Sequence, residues 1–370
     1  MECRLGSKMM NKILILANYD VGLYKFRKEL IEKLLIEKYE VYISLPNGEY
    51  IDDLKRMGCH FIETRVDRRG TNIFSDTKLL LFYKKIMKEI NPDVVLTYTI
   101  KPNIYGGIVA KQLKIPYIAN VTGLGTALEN EGPLKNILIK LYKYSLSSAK
   151  KVFFQNEKNM SFFDTYNIIS DRRDLLPGSG VNTDEFRLLD YPDAKKINFV
   201  FISRVMKDKG INEYLEAAKY IKNNYENVNF HICGFTEEDY EETLTELHNN
   251  GTIIYHGMID NVQDMLEDMH CIIHPSYHEG MSNVLLEAAS SGRPIIASDI
   301  PGCRETFEDG ITGFSFPKQD TEGLIQTIEK FIQLDNNTRK QMGLSGRKKM
   351  EKEFDRQIVV EKYLKEIESI

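Results

Sequence analysis

Short apolar runs alternate along the chain with longer stretches of helical periodicity. The runs are rich in valine and isoleucine, which is typical of parallel strands buried on both faces of a sheet. They form two series on either side of residues 176–194, a segment rich in Pro, Gly and Asp. The pattern therefore predicts two doubly wound α/β domains joined by this segment. The predicted strands are residues 12–18, 40–45, 60–66, 94–99, 116–121 and 152–155 in the first series, and 197–203, 228–234, 252–257, 271–276, 294–299 and 313–316 in the second.

Composition and charge are those of an ordinary globular protein large enough for two cores. The chain has 370 residues, 42% of them hydrophobic and 28% charged. Its net charge of −5 predicts no general attraction to nucleic acid. No apolar run reaches the roughly 18 residues of a membrane span, and residues 1–10 lack the apolar core of a signal peptide, so we expect a cytoplasmic protein. The five scattered cysteines predict neither disulfides nor a zinc site.

Two glutamates flank a predicted strand–turn–helix junction. Glu279 precedes the helix, and Gly280, Ser282 and Asn283 form a turn of small or polar residues. A helix N-terminus offers unpaired N–H groups and partial positive charge, which suit a diphosphate. Glu287 lies roughly 12 Å further along the helix, about the distance between the two sugars of a nucleotide sugar. A carboxylate in so apolar a helix needs a hydrogen-bond partner such as a ribose diol, and a solvated glutamate at the helix edge is the alternative.

The pair Glu279-x7-Glu287, followed by Gly-Arg-Pro-Ile-Ile-Ala at residues 292–297, resembles the signature of retaining GT-B glycosyltransferases of family 4. The resemblance extends from about residue 11 onward and implies two Rossmann-like domains that face each other across a cleft. Residues 1–185 would bind the acceptor and residues 186–353 the donor, with the last helix, 354–370, packing back on the first domain. Glu279 would contact donor-sugar hydroxyls, and Glu287 would hold the ribose. The other implied donor contacts are Gly22, Gly234, Ile259, Gly280, Met281, Ser282 and Asn283.

Two cations near the start of the second domain are candidates for the diphosphate. Arg204 ends the first strand of that domain and Lys209 opens the next helix, so the two are spaced to converge on one anion. Such cations stabilise the charge that develops on a leaving diphosphate. The chain has no D-x-D triplet, the usual manganese anchor of the other large glycosyltransferase fold. We therefore expect a metal-independent site with no cofactor.

The first domain contains the acceptor candidates. Residues 18–27 are predicted to be a loop after the first strand, and they include Gly22, Tyr24 and Arg27. Lys101 lies in Thr-Ile-Lys-Pro-Asn, which resembles the H-x-K-P-N stretch of bacterial family-4 enzymes that act on polyprenyl-diphosphate sugars. The resemblance implies that Lys101 contacts an acceptor phosphate; a surface lysine is the alternative. Tyr24 and Arg27 are the other acceptor candidates.

Residues 120–125, Asn-Val-Thr-Gly-Leu-Gly, resemble a subgroup involved in capsule, O-antigen or lipid-linked glycan assembly. The resemblance places Thr122 nearest the reacting centre, as a catalytic residue. Many family members have a histidine near this point, but His60 is the only histidine in the first half of this chain.

Residues 134–151 predict an amphipathic helix with five lysines and no acidic residue. Such a helix can lie in a membrane interface, or it can be an ordinary packed surface helix. Arg65, Arg68 and Arg69 either contact an anionic surface or belong to a solvated loop.

The expected activity is transfer of an N-acetylhexosamine, for example GalNAc from UDP, to an oligosaccharide or polyprenyl-diphosphate-linked glycan acceptor. The expected partners are that nucleotide sugar, the acceptor and a peripheral membrane surface, with no nucleic acid. A sugar-nucleotide epimerase of the same fold and a non-catalytic sugar-nucleotide-binding protein are the alternatives.

Overall fold

The computed structural model describes residues 12–64, 73–125, 128, 131–169, 171–193 and 195–370, with the backbone alone at residue 73. These residues form two compact units. The first comprises the described residues up to Ser179 together with Val359–Ile370, and the second is Gly180–Ile358. The three arginines at 65, 68 and 69 and residues 1–10 lie outside the described residues.

The first unit is built on a parallel sheet whose seven described strands run in the order β3-β2-β1-β4-β5-β6-β7. Alternate residues of each strand face opposite layers of helices. Leu14 and Leu16 face one apolar cluster, whereas Ile13 and Ile15 face the other. The strands are β1 Lys12–Leu16, β2 Glu40–Leu45, β3 His60–Glu63, β4 Val94–Tyr98, β5 Tyr117–Val121, β6 Lys151–Phe154 and β7 Arg173–Leu175. The helices are α1 Asp20–Ile36, α2 Ile51–Met57, α3 Ile73–Ile90, a π-helical turn Pro102–Gly106 that continues as α4 Gly107–Leu113, α5 Pro133–Leu146 and α6 Glu157–Thr165.

The second unit repeats this plan with six described parallel strands in the order β10-β9-β8-β11-β12-β13. Its strands are β8 Ile197–Ile202, β9 Val228–Cys233, β10 Ile254–Gly257, β11 Cys271–His274, β12 Ile295–Ser298 and β13 Gly313–Phe316. Its helices are α7 Ile211–Asn224, α8 Glu241–Asn249, α9 Val262–Glu267, α10 Asn283–Ser290, α11 Thr321–Ile332 and α12 Asn336–Lys349, followed by a π-helical segment Met350–Phe354. The prediction of two doubly wound α/β domains is thus confirmed.

The last helix, α13 Arg356–Glu368, belongs with the first sheet. Its apolar face, which includes Val359 and Tyr363, packs into the same cluster as Ile13 and Ile15. The Tyr363 hydroxyl accepts a 2.7 Å hydrogen bond from the amide of Asn120, and both residues are fully buried. A helix distant in sequence therefore completes one layer of the first unit.

Three local predictions were wrong. Residues 18–27 are not a loop, because α1 begins at Asp20, where the carboxylate of Asp20 accepts a hydrogen bond from the Tyr50 backbone amide. The helix predicted at 134–151 ends at Leu146, since Lys151 already pairs in β6. The sequence also missed β7, a strand of three residues with a single apolar side chain.

Among the described helices, none combines the length and the apolar character that a bilayer crossing requires.

Candidate functional site

The chain order of the second sheet reverses between β8 and β11, which are neighbours. In doubly wound sheets, ligands bind at the carboxyl ends of the strands that flank this reversal. The loop after β8 contacts the loop after β11, because the Tyr277 amide donates a 2.9 Å hydrogen bond to the Asp208 carbonyl. Gly210 has φ +74°, and a Cβ there would lie 2.0 Å from the Pro275 carbonyl oxygen. Only glycine allows the two loops to approach this closely.

Lys209, Glu279 and His274 meet at this point. Oε1 of Glu279 accepts a 2.6 Å hydrogen bond from Lys209 Nζ and a 2.9 Å hydrogen bond from His274 Nε2. The three side chains are 15%, 14% and 2% exposed, respectively. Lys209 and Glu279, two predicted site residues, are therefore brought together across 70 residues of sequence.

The cluster keeps Glu279 ionised. Burial alone would raise the pKa of this carboxyl, but the hydrogen bond and charge of His274, together with Lys209, outweigh burial and lower the pKa to about 2. The site therefore presents a fixed carboxylate beside a cation at every physiological pH.

Sequence reasoning alone does not single out His274, although it ends β11 only five residues before Glu279. The feature that could identify it is a histidine at the carboxyl end of a buried strand that leads into the glutamate motif.

The predicted donor residues after Glu279 form the start of α10. Ser282 is the N-cap, its amide donates to the Gly302 carbonyl at 2.8 Å, and its hydroxyl lies 3.3 Å from His274 Nε2. Gly280 and Asn283 are half-buried, whereas Met281 is buried in the apolar cluster under the helix. Glu287 is half-buried on the same helix. Its proposed contact with a ribose remains a prediction.

Arg204 does not share an anion with Lys209. Its guanidinium forms an ion pair with Glu237, and its side chain is 42% exposed. Gly234 directly follows β9 nearby, where its amide donates to the Gly257 carbonyl and its carbonyl accepts from the Tyr255 hydroxyl. Ile259 is half-buried against the cluster that also contains Met281. The expected convergence of Arg204 and Lys209 is thus absent from this conformation, in which each cation binds a different carboxylate.

In the first unit, Lys101 lies just beyond the carboxyl end of β4. Its Nζ donates a 2.8 Å hydrogen bond to Asp76 Oδ1, and the two side chains are 14% and 15% exposed. The Tyr105 hydroxyl donates to the other oxygen of Asp76 at 2.9 Å. Asp76 on α3 was not identified from sequence, because nothing local links it to Lys101.

The acceptor candidates Tyr24 and Arg27 and the implied donor contact Gly22 lie on α1. Gly22 occupies its first turn, and the Tyr24 ring stacks on Tyr50 with 4.8 Å between centroids. Arg27 is 4% exposed, its Nη1 donates to the Phe26 carbonyl, and its guanidinium lies 5.1 Å from the Tyr98 ring centre. Because it is buried, Arg27 is not part of an open acceptor surface in this conformation.

Thr122 follows β5 and is half-buried. The end of β5 is held by Asn103, whose side-chain amide donates to the Asn120 carbonyl at 2.8 Å and whose Oδ1 accepts from Thr97. Asn103 thereby connects the carboxyl ends of β4 and β5, next to Lys101 and Thr122.

No group of three or more His, Cys, Asp or Glu side chains is arranged to hold a metal ion in the part of the chain that the structure describes. Metal independence of the reaction stays a prediction.

Two family models match this chain. "Glycosyl transferases group 1" matches residues 190–349, which include Lys209, Glu279 and Glu287. "Glycosyl transferase 4-like" matches residues 12–156, which include Lys101 and Thr122. A curated relative from Campylobacter jejuni, N,N'-diacetylbacillosaminyl-diphospho-undecaprenol alpha-1,3-N-acetylgalactosaminyltransferase, is 27% identical over 96% of this chain and 97% of its own.

Solved structures support the same fold. A glycosyltransferase from Rickettsia africae superposes with a TM-score of 0.80 at 20% identity, covering 96% of this chain and 97% of its own. The HepE protein of Anabaena, solved in complex with UDP and glucose, superposes with a TM-score of 0.79 at 15% identity, covering 97% of this chain and 100% of its own. The predicted GT-B fold is therefore confirmed. Because the second sheet, most of the first sheet and the motif residues lie inside matching glycosyl transferase family models, the chain is a glycosyltransferase, with its first part matching the 4-like model and its second part the group 1 model.

Proposed function

We propose that this glycosyltransferase moves an N-acetylhexosamine, with GalNAc as the first candidate, from UDP to a glycan acceptor linked to polyprenyl diphosphate. The transfer would retain the anomeric configuration and would need no metal. The observation that carries the proposal is the Lys209–Glu279–His274 cluster beside the N-terminus of α10. It combines a cation, a fixed carboxylate and a helix N-terminus, which together suit a diphosphate joined to a sugar.

Lys209 is proposed to bind the diphosphate. An ammonium group has three N–H donors, and one of them is used by Glu279. The other two can donate to diphosphate oxygens while Glu279 keeps the side chain in place. The charge that builds up on the leaving diphosphate would be stabilised by this cation and by the first turn of α10.

Glu279 is proposed to bind hydroxyls of the donor sugar, and Glu287 the ribose hydroxyls. Glu279 lies four residues before the first residue of α10 and Glu287 four residues after it, so a diphosphate at the N-terminus would lie between them. Ionised carboxylates are strong acceptors for sugar hydroxyls.

In the proposed reaction, the bond from the anomeric carbon to the diphosphate oxygen breaks, and a bond to the acceptor oxygen forms on the same face. The proton of the acceptor hydroxyl passes to the departing diphosphate oxygen. This route needs no protein base, which is consistent with the absence of a histidine from residues 120–125.

The identities of donor and acceptor rest on relatives. The Campylobacter relative is named for N-acetylgalactosamine transfer to a diphospho-undecaprenol glycan, and the Anabaena structure holds UDP. Lys101 is the proposed contact for an acceptor phosphate, which would compete with Asp76 for its ammonium group.

A lipid-linked acceptor requires contact with a membrane surface, and α5 offers one. Leu134, Ile137 and Tyr144 lie along one stripe of this helix and are 37%, 54% and 49% exposed. Lys140 and Lys143 flank the stripe and are exposed. Apolar side chains bordered by lysines favour the interface of an anionic bilayer, which supports peripheral membrane association.

The test is transfer from radiolabelled UDP-GalNAc, UDP-GlcNAc, UDP-glucose and GDP-mannose to a short-chain polyprenyl-diphosphate N-acetylhexosamine, with and without EDTA. We expect transfer from one UDP-HexNAc, insensitivity to EDTA and an α-linked product by NMR. A β-linked product would contradict retention, and loss of activity with EDTA would contradict metal independence. Release of a free 2-epimer without acceptor would identify an epimerase instead.

Two variants test the residue roles in that assay. Lys209→Ala should lower turnover about 10²-fold, the scale seen when one charge-stabilising donor is removed. Lys207→Ala, an exposed lysine two residues earlier, is the matched control and should retain activity. Glu287→Ala should weaken UDP binding in calorimetry, and unchanged UDP affinity would remove it from the ribose site.

A further inference from the structure

Glu279 is held through one oxygen. Oε1 accepts both hydrogen bonds, from Lys209 and His274. Oε2 accepts none from the described residues, and it is not among the buried polar atoms that lack a partner, so it reaches solvent. The carboxylate therefore presents one specific oxygen outward.

His274 is built rigidly into the sheet. It is the last residue of β11, it pairs with Ala297 of β12, and it is 2% exposed. Its Nε2 lies within reach of both Glu279 and the Ser282 hydroxyl, whereas its Nδ1 is buried with no hydrogen-bond partner among the described residues. A carboxylate only accepts, so the proton must be on Nε2.

The backbone of Glu279 is fixed independently of His274. The preceding Tyr277 donates its hydroxyl to Glu213 at 2.6 Å and its amide to Asp208. On the other side, Gly302 has φ +87°, and a Cβ there would lie 2.7 Å from the Glu279 carbonyl oxygen. What remains to be fixed is the orientation of the Glu279 side chain.

Lys209 alone does not fix that orientation. Its ammonium is a point charge on a flexible four-carbon stem, and a bound diphosphate would compete for it. The imidazole has one N–H in a defined direction, on a strand that does not move with the ligand. His274 is therefore the group that keeps Oε1 turned inward when Lys209 shifts towards the diphosphate.

We propose that His274 is a positioning residue of the donor site: its Nε2–H holds Oε1 of Glu279 and so directs Oε2 towards a hydroxyl of the donor sugar. The inference rests on the proposed function, since it requires that a nucleotide sugar binds here. It predicts that His274 affects recognition of the sugar and leaves recognition of the nucleotide intact.

The test compares UDP with UDP-HexNAc by calorimetry in His274→Leu and His274→Gln. Leucine removes the donor but fills the space, whereas the glutamine amide keeps an N–H at similar reach. We expect His274→Leu to lose about tenfold in affinity for UDP-HexNAc relative to UDP, the scale of one hydrogen bond to a charged group. His274→Gln should stay within threefold of the wild type. His270→Gln, at a buried histidine directly before β11, is the control and should leave the ratio unchanged.

A pH series distinguishes positioning from a structural role. The titratable groups around Glu279 are Lys209, His274 and the buried thiol of Cys303, with Glu305 beyond it. In the wild type, Glu279 stays ionised throughout pH 5–8, so the affinity ratio should change only with the titration of the terminal phosphate of UDP. Without His274 the pKa of Glu279 rises, so the ratio in His274→Leu, divided by the wild-type ratio at the same pH, should fall as the pH drops towards 5.

A ratio within twofold of wild type in folded His274→Leu, at every pH, would overturn the proposal. Should that variant not fold, His274→Asn replaces it, because asparagine is too short to reach Glu279; equal ratios for Asn and Gln would then overturn it. If the wild type binds no nucleotide sugar, the proposed function fails instead, and the two failures are told apart by the wild-type titration alone.

Discussion

Replacing Lys209 with methionine should destabilise the second unit at neutral pH. Methionine keeps the apolar stem but removes the ammonium group, so Glu279 would remain buried with His274 as its partner. An ionised carboxylate that loses its buried counter-charge is costly, because desolvation is no longer compensated.

The magnitude follows from the pKa of Glu279. A value of about 2, against 4.5 for an ordinary glutamate, corresponds to about 3 kcal/mol in favour of the ionised folded state at neutral pH. Lys209 supplies only part of this stabilisation of the ionised carboxylate, because His274 is still present in the variant. Breaking a buried pair costs roughly 3–5 kcal/mol, and the slight exposure of this pair reduces the penalty, so we expect about 2 kcal/mol. For a domain of this size that lowers Tm by roughly 4–8 °C.

The change with pH of the stability difference between the wild type and Lys209→Met tests this pairing more directly than its size at neutral pH. In the wild type the folded pKa lies below the unfolded one, so this stabilisation is present above pH 4.5 and is lost as the pH falls towards 2. In the variant the pKa of Glu279 rises, so acidification relieves its penalty. The stability difference should therefore fall only to roughly nine tenths of its neutral value at pH 4, and to roughly six tenths at pH 3.

The assay is urea unfolding followed by circular dichroism between pH 3 and pH 7.5, since the chain contains no tryptophan. Lys207→Met is the matched control and should change stability by less than about 0.5 kcal/mol, as for most exposed substitutions. A penalty for Lys209→Met that stays constant from pH 7.5 to pH 3, or is no larger than that of the control, would show that Lys209 does not hold Glu279 in its ionised form.

Three further predictions concern other parts of the molecule. Gly210→Ala should cost about 1–3 kcal/mol of stability in the same assay, because alanine at φ +74° would collide with the Pro275 carbonyl; an unchanged denaturation midpoint would show that the loops can separate. Lys101→Met should lower kcat/KM for the lipid-linked acceptor about tenfold without changing UDP affinity, and an equal loss for both substrates would contradict an acceptor contact. Ile137→Glu should reduce co-sedimentation with anionic vesicles severalfold while transfer to a water-soluble acceptor persists, and unaltered co-sedimentation would exclude α5 as the membrane contact.

Features that depend on neighbouring residues were predictable from sequence. Alternating apolar runs and helical segments predicted both sheets, because strands that are buried on both faces are rich in apolar residues along their whole length. The turn from Glu279 to Glu287 was also predictable, since strand, turn and helix are consecutive there. The family resemblance depended on the same local residues, so it predicted the enzyme class.

Features that depend on distant partners were not predictable. The strand β7 has almost no apolar pattern and exists because it pairs with β6. The start of α1 at Asp20 depends on the amide of Tyr50, and the burial of Arg27 depends on Tyr98. In each case the deciding contact comes from another element, which local periodicity does not encode.

The candidate site shows the same division. The order of residues alone predicts that Lys209 and Glu279 each follow a strand of the second domain. The folded chain adds that these strands are neighbours, that Lys209 pairs with Glu279 while Arg204 pairs with Glu237, and that His274 holds the same oxygen as Lys209. Strand order and ion pairing are set by contacts across tens of residues, whereas the pattern of apolar and polar positions records only which face of its own element each side chain occupies.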